Sequence, residues 1–344
     1  MSSGAARVVV LAPNWLGDAV MALPALQSVR AAFPAAHLAV AARPSVAALY
    51  AMVPGVDAVL SLESRGGVSN VKRWRRDAAR LAAERFDLAV LLPNAFIAAW
   101  ITAQARIPER WGFDTDLRGR WLTKSLRRPA PALHQADYYL ALTTAAGLPP
   151  APRVARLVVP EAARAAAARL VPARDYVVLA PGAAYGRAKQ WPPDRFAALA
   201  CTMWQTRGVI AVLVGAGGDA AAGVEFTGAL PGLPGGAGTA AALVDLIGKT
   251  DLATLAGVLS QARAVVANDS GAMHLAGAVG APVVAIFGPT NEQQTAPLSA
   301  ALDAPPPRLA IHHVWCRPCM LRECPLGHMC MRGVASSDVA ALIP

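Results

Sequence analysis

Ala264-Val265-Val266-Ala267-Asn268-Asp269-Ser270-Gly271-Ala272-Met273-His274 and, one helix-length further on, Pro282-Val283-Val284-Ala285-Ile286-Phe287 decide how this chain is read. Two apolar runs separated by a polar, glycine-bearing turn and a helical segment make a βαβ unit. Its turn aims the N–H groups that start the helix at an anion above the sheet, which makes Ser270 and Gly271 a diphosphate seat. A Ser-Gly turn of this kind also serves plain packing, and His274 reads equally as a packed, hydrogen-bonded residue.

Outward from this unit the pattern repeats. Arg7–Ala12 is a strand that runs through Pro13-Asn14-Trp15-Leu16-Gly17-Asp18 into a helix expected over Ala19–Phe33 and ended by Pro34. His37–Ala42, Ala58–Leu60 and Leu88–Leu92 read as further apolar strands, with Trp74–Phe86 a basic amphipathic helix before the last of them. From about Pro129 the periodicity fades, and Pro149-Pro150-Ala151-Pro152 is the best linker. A second series follows, with strands at Tyr176–Ala180, Val209–Val214, Leu243–Ile247, Ala264–Ala267 and Pro282–Phe287, and helices at Pro192–Arg207 and Leu252–Ala262. Alternation of this kind predicts an α/β protein with two Rossmann-like, doubly wound domains facing across a cleft. The expected boundaries are 1–155, 156–335 and a tail over 336–344.

The 344 residues exceed one comfortable core. Hydrophobic content of 55% against 16% charged residues excludes a disordered chain. No apolar run reaches the roughly 18 residues of a membrane span. The start, Met1-Ser2-Ser3-Gly4-Ala5-Ala6-Arg7, passes directly into a strand without a signal-peptide core, so a cytoplasmic location is expected.

The net charge of +10 is unevenly shared: residues 1–160 hold 19 Lys or Arg against 10 Asp or Glu, while residues 161–344 hold 13 against 12. An anionic partner for the first half follows, whether nucleic acid, lipid head groups or a phosphorylated glycolipid. A basic, solvated, Arg-rich surface is the plain alternative. Lys72, Arg73, Arg75, Arg76 and Arg80 form one basic group, and Arg118, Arg120, Lys124, Arg127 and Arg128 another.

Gly215-Ala216-Gly217-Gly218-Asp219-Ala220 fits a dinucleotide fingerprint, although it follows the second strand of its series and not the first. Cys316, Cys319, Cys324 and Cys330, with His312, His313 and His328 beside them, could hold zinc or an iron–sulfur cluster. Spacings unlike a zinc ribbon favour a packed, reduced loop, and no metal site is expected.

The motifs taken together resemble the heptosyltransferases of glycosyltransferase family 9, and the resemblance runs along most of the chain. It rests on Asn14-Trp15-Leu16-Gly17-Asp18, Leu91-Leu92-Pro93-Asn94, Pro181-Gly182-Ala183, and Ala188-Lys189-Gln190-Trp191-Pro192. It continues through Ile247-Gly248-Lys249-Thr250, Asn268-Asp269-Ser270-Gly271 with His274, and Phe287-Gly288-Pro289-Thr290. The Cys316 to His328 segment is similar to that of type II members in particular. The resemblance implies a GT-B fold and an inverting, metal-independent transfer of heptose from ADP-L-glycero-D-manno-heptose to the first heptose of the lipopolysaccharide inner core. No cofactor is implied, only ADP-heptose as donor. The implied partners are that core acceptor and, peripherally, the cytoplasmic face of the inner membrane, with no nucleic acid.

Chemistry of this kind asks for a base, and Asp18 corresponds to the family's; its alternative is an N-cap. Departure of ADP asks for positive charge and N–H donors, which Lys189, Arg187, Ser270, Gly271 and the Gly182 turn would provide. Asp219 would take a ribose hydroxyl or cap a helix. His274 would reach a phosphate or the heptose, and Asp269 the sugar or the turn. Asp114-Thr115-Asp116 has the form that holds Mn2+ in another class of glycosyltransferases, and here reads as a surface turn. Other readings are a transferase with another acceptor or nucleotide sugar, a nicotinamide-dependent oxidoreductase built on the Gly215 loop, and a non-catalytic glycolipid-binding protein.

Overall fold

The computed structural model describes residues 5–64, 70–130, 132–173 and 175–344. The first four residues, which carry part of the signal-peptide argument, lie outside it. The chain divides into two compact units, Met1–Ala155 and Arg156–Pro344.

In the first unit β1 (Arg7–Leu11), β2 (His37–Ala42), β3 (Ala58–Ser61), β4 (Leu88–Leu91), β5 (Glu109–Phe113) and β6 (Lys124–Leu126) form a parallel sheet in the order β3-β2-β1-β4-β5-β6. Val9 pairs with Ala39 on one side and Ala89 on the other, so the most apolar strands lie in the middle, buried on both faces. Between β1 and β4 the strand order reverses. That switch leaves a crevice at the strands' carboxyl ends, where ligands of open α/β sheets bind.

The expected helix over Ala19–Phe33 is in fact two, Leu16–Met21 and Leu23–Ala32. Pro24 stands in the first turn of the second helix, a place where its missing N–H costs nothing, and the chain breaks before it. A helix at Gln135–Ala145 occupies the stretch whose periodicity fades in the sequence. Its N-cap is His134, which accepts from the Ala136 N–H at 3.1 Å.

The second unit repeats the plan with β7 (Tyr176–Ala180), β8 (Ile210–Leu213), β9 (Val244–Asp245), β10 (Ala264–Asn268), β11 (Val283–Phe287) and β12 (Arg308–Ile311), in the order β12-β11-β10-β7-β8-β9. All of the pairings are parallel, and the order reverses between β7 and β10. Residues 336–344 are part of this unit and not a tail: Ser336–Ala341 is a helix, and Val339 and Ile343 are buried in the core with Trp191, Phe196 and Met203. Apolar surface that would otherwise be wet on the long helix Pro193–Arg207 is covered in this way. Among the described residues no helix is long and apolar enough to cross a membrane.

Candidate active site

The switch point of the second sheet collects most of the polar residues singled out in the sequence. Asn268, the last residue of β10, is fully buried; its amide donates to the carbonyl of Pro181 at 2.8 Å and accepts from the Trp191 N–H at 2.9 Å. One side chain thus ties the end of β7, the end of β10 and the loop that carries Lys189. Trp191 is fully buried, donates its indole N–H to Val334 at 3.0 Å and meets Phe196 edge-on. Lys189 is held on a firm base.

From that base the Lys189 ammonium reaches Asp269, with Nζ 2.6 Å from Oδ2, and lies 4.6 Å from the centre of the Tyr185 ring. The Thr290 hydroxyl donates to the same Oδ2 at 2.7 Å. Side-chain exposure is 12% for Lys189 and 5% for Asp269, so both charges are largely out of water. Pairing at this depth needs additional hydrogen bonds to be sustained, and Thr290 provides one. Sequence pattern alone gives neither Asn268 nor Thr290 a role, although both stand inside the motifs that carry the family resemblance. Asp269, expected to touch the sugar or the turn, is the counter-ion of Lys189.

Ser270 follows in extended conformation and opens the helix Gly271–Ala278. Its hydroxyl is buried and has no hydrogen-bond partner within the described residues. Helix N-termini leave N–H groups unsatisfied, so an unpaired hydroxyl and the Gly271 end of the helix lie beside a lysine that can accept a second anion. His274 is buried in the same helix.

Asp219 closes the neighbouring loop: its Oδ2 accepts from the Ala216 N–H at 2.8 Å. A Cβ on Gly182 would stand 2.1 Å from the Asp219 carboxyl carbon, and one on Gly215 3.0 Å from its Cβ. Glycine at both positions lets the carboxylate enter, which explains the Gly-rich loop without a dinucleotide. Arg187 points elsewhere, its side chain 72% exposed and 3.8 Å from Glu225, so it does not join the buried group.

The Cys316–Cys330 segment covers these loops from outside. Arg317, with a side chain only 7% exposed, donates to the carbonyls of Gly288 and Thr290 and pairs with Glu292 at 2.9 Å. The Met320 N–H donates to Pro289, the Tyr185 hydroxyl to Met320, and the Ala188 N–H to Arg322. All four cysteines are free thiols, Cys330 buried and the others half-buried. Burial pushes the Cys330 thiol up, and the other three thiols push in the same direction. Among the described residues no group of three or more His, Cys, Asp or Glu is arranged to hold a metal.

In the first unit Asp18 stands in the first turn of Leu16–Met21, whose N-cap is Trp15, so the capping alternative for Asp18 is set aside. Its charge is felt by two buried phenols, Tyr50 and Tyr139, both pushed above the ordinary tyrosine range by burial first and by Asp18 next. At neutral pH both stay neutral beside it. Asp116, of the Asp114-Thr115-Asp116 turn, accepts from the Phe96 N–H at 2.7 Å and starts the helix Phe96–Gln104.

Two members of the second basic group are used inside the fold, while Arg120, Arg127 and Arg128 are exposed. Arg118 is completely buried and donates to the carbonyls of Phe113 (2.9 Å) and Pro93; burial pushes its guanidinium down to about 10. Lys124 donates to the carbonyl of Ala146 at 2.6 Å and lies over Trp111. Both cations hold loops together, a use invisible to charge counting.

Residues 74–330 match glycosyltransferase family 9 (heptosyltransferase). The chain belongs to that family. It is a glycosyltransferase, and its two doubly wound α/β units place it in the GT-B class. Among similar proteins, lipooligosaccharide heptosyltransferase 2 of Haemophilus influenzae is 30% identical over 307 residues, 85% of this chain and 86% of that one. Lipopolysaccharide heptosyltransferase 2 of Escherichia coli is 30% identical over 305 residues, with the same coverage. The solved structure of E. coli ADP-heptose LPS heptosyltransferase II superimposes with a TM-score of 0.82 at 27% identity, over 98% of this chain and 97% of that one.

Proposed function

We propose that this glycosyltransferase moves a heptose from ADP-L-glycero-D-manno-heptose to the first heptose of the lipopolysaccharide inner core, with inversion at the anomeric carbon. The observation that carries the reading is the buried Lys189–Asp269–Thr290 group beside the unpaired Ser270 hydroxyl, at the end of the sheet where a nucleotide is expected. Relatives named for ADP-heptose and lipopolysaccharide support the choice of donor and acceptor.

In this reading the second unit holds the donor. Lys189, the Ser270 hydroxyl and the helix start at Gly271 receive the diphosphate, with His274 next to them. Asp269 keeps the Lys189 ammonium in place, and Arg187 adds outer positive charge. Asp219, fitted against Gly182, has Oδ1 left for a ribose hydroxyl. The first unit supplies the base: Asp18 takes the proton of the acceptor hydroxyl as its oxygen attacks the anomeric carbon. The bond from that carbon to the β-phosphate oxygen breaks, and its electron pair leaves with ADP. Charge then grows on the diphosphate, where Lys189 and the N–H donors act most strongly. No metal ion enters this scheme. The acceptor is membrane-borne, so the enzyme works in the cytoplasm in peripheral contact with the inner membrane.

Incubation with ADP-heptose and heptosyl-Kdo2-lipid A tests the reading. A mass gain of one heptose with ADP release only when acceptor is present is expected; ADP release without acceptor, or binding of NAD in preference to ADP, would overturn it.

A further inference from the structure

The structure assigns a second role to the first unit: we propose that the outer face of the helices Val71–Ala83 and Phe96–Gln104, with the turn at Leu117, docks onto an anionic phospholipid surface. This inference rests on the proposed function only in that a glycolipid acceptor lies in a bilayer. Both helices lie on one side of the sheet, because β3 to β4 and β4 to β5 cross over in the same direction and such crossovers are right-handed.

Helix Val71–Ala83 carries Lys72, Arg73, Arg75, Arg76 and Arg80 against a single acid, Asp77. At 100° per residue Lys72, Arg75, Arg76, Ala79 and Ala83 share the outward face, while Asp77, Ala78 and Leu81 turn inward and are buried. Asp77 is occupied within the fold by the Ser64 N–H at 2.7 Å. Of the five cations only Arg80 has a carboxylate within 4 Å among the described residues, Glu63 at 3.9 Å and Asp77 at 4.0 Å. Lys72, Arg73, Arg75 and Arg76 are exposed and have none. Among the described residues their charge has no carboxylate partner, so it is available to an external anion.

Aromatic and aliphatic groups interleave with these cations. Trp74 and Trp100 meet at 5.7 Å, and Trp100 lines a shallow groove with Arg75, Ala78, Ala79, Ala82 and Gln104. Phe96 then meets Trp121 edge-on at 6.4 Å, with Arg120 over the Trp121 ring. The Leu117 turn adjoins the start of this helix through the Asp116 bond to Phe96, and the Leu117 side chain is 90% exposed. Cations alongside tryptophan and a protruding leucine fit the boundary between lipid head groups and acyl chains. A nucleic acid would use the cations and leave Leu117 without a purpose.

Co-sedimentation of the full chain with vesicles tests the proposal. The protein should pellet with phosphatidylcholine vesicles containing phosphatidylglycerol, release at high salt, and stay in solution with phosphatidylcholine alone. Joint substitution Lys72→Gln, Arg75→Gln and Arg76→Gln should raise the lipid concentration for half-binding about 100-fold, at about fivefold per cation. Leu117→Ser should raise it a few-fold. The triple variant should keep the wild-type melting temperature and turn over a deacylated acceptor at the wild-type rate. Equal binding to neutral vesicles, an unchanged triple variant, or binding to heparin but not to anionic vesicles would overturn the proposal. So would loss of turnover on the deacylated acceptor, which would make these cations a saccharide seat. Failure of heptose transfer itself leaves the vesicle result standing, so the two readings fail separately.

Discussion

The two units treat their functional charges in opposite ways. In the second, Lys189 and Asp269 are nearly dry and bonded to each other, and Thr290 and Asn268 fix the loops on either side. In the first, the cations Lys72, Arg73, Arg75 and Arg76 of helix Val71–Ala83 stand in solvent, and Asp18, in the first turn of Leu16–Met21, influences two buried neutral phenols. A leaving group that must be met without delay calls for a charge already in position. On the proposed reading, the nearly dry Lys189 ammonium of the second unit is the charge that meets the departing ADP.

The sharpest way to break this comparison is at the base. Asp18→Asn should lower turnover by at least about 100-fold, the ordinary scale for a lost general base, in a steady-state assay with saturating donor. Turnover close to wild type would remove Asp18 from the mechanism. Lys189→Ala should reduce turnover by about 10- to 100-fold and also lower the melting temperature, because it leaves Asp269 buried without its counter-ion. A kinetic effect without any thermal effect would mean that the pair is less buried in solution than in the structure.

Thr290→Val sharpens the comparison further. Loss of one hydrogen bond to a charged carboxylate should lower kcat about 10-fold with a smaller change in KM, and Thr290→Ser should restore most of it. Equal loss in Thr290→Ser would show that the methyl group, and not the hydroxyl, matters at this position. Chelation is expected to do less: EDTA should leave transfer essentially intact, and a strict requirement for Mn2+ or Mg2+ would reopen the role of Asp114 and Asp116.

The smallest effect concerns acid stability in the first unit. The Asp57 carboxyl is held below its usual 3.8 by the Leu38 N–H and by Arg30, whose guanidinium is 2.6 Å away. Its contribution is complete above the unfolded value and is lost as pH falls through the lower folded one. Melting curves of Asp57→Asn should therefore approach the wild type as pH drops below 3.8, and differ more at neutral pH. Curves that diverge on acidification would contradict the sign.

Much of this was legible in the sequence, for a physical reason. Central parallel strands are buried on both faces and read as unbroken apolar runs, so β1, β4, β7 and β10 stand out. Edge strands do not: β6 is Lys-Ser-Leu and β12 begins with Arg308, because one side of each meets solvent. The Asp269-Ser270-Gly271 turn could be found, since local residues make it. The bond between Lys189 and Asp269 could not, since 80 residues separate them and only the sheet order brings β7 and β10 together. Arg118 failed as a surface charge for the same reason: its acceptors are carbonyls, which leave no mark in a sequence.

Calorimetric titration of ADP into the wild type, Asp18→Asn and Lys189→Ala tests the division of labour most directly. The second unit alone is expected to set ADP affinity, so Lys189→Ala should bind at least about 10-fold more weakly while Asp18→Asn binds as the wild type does. Unchanged affinity in Lys189→Ala, or a comparable loss in Asp18→Asn, would contradict the account.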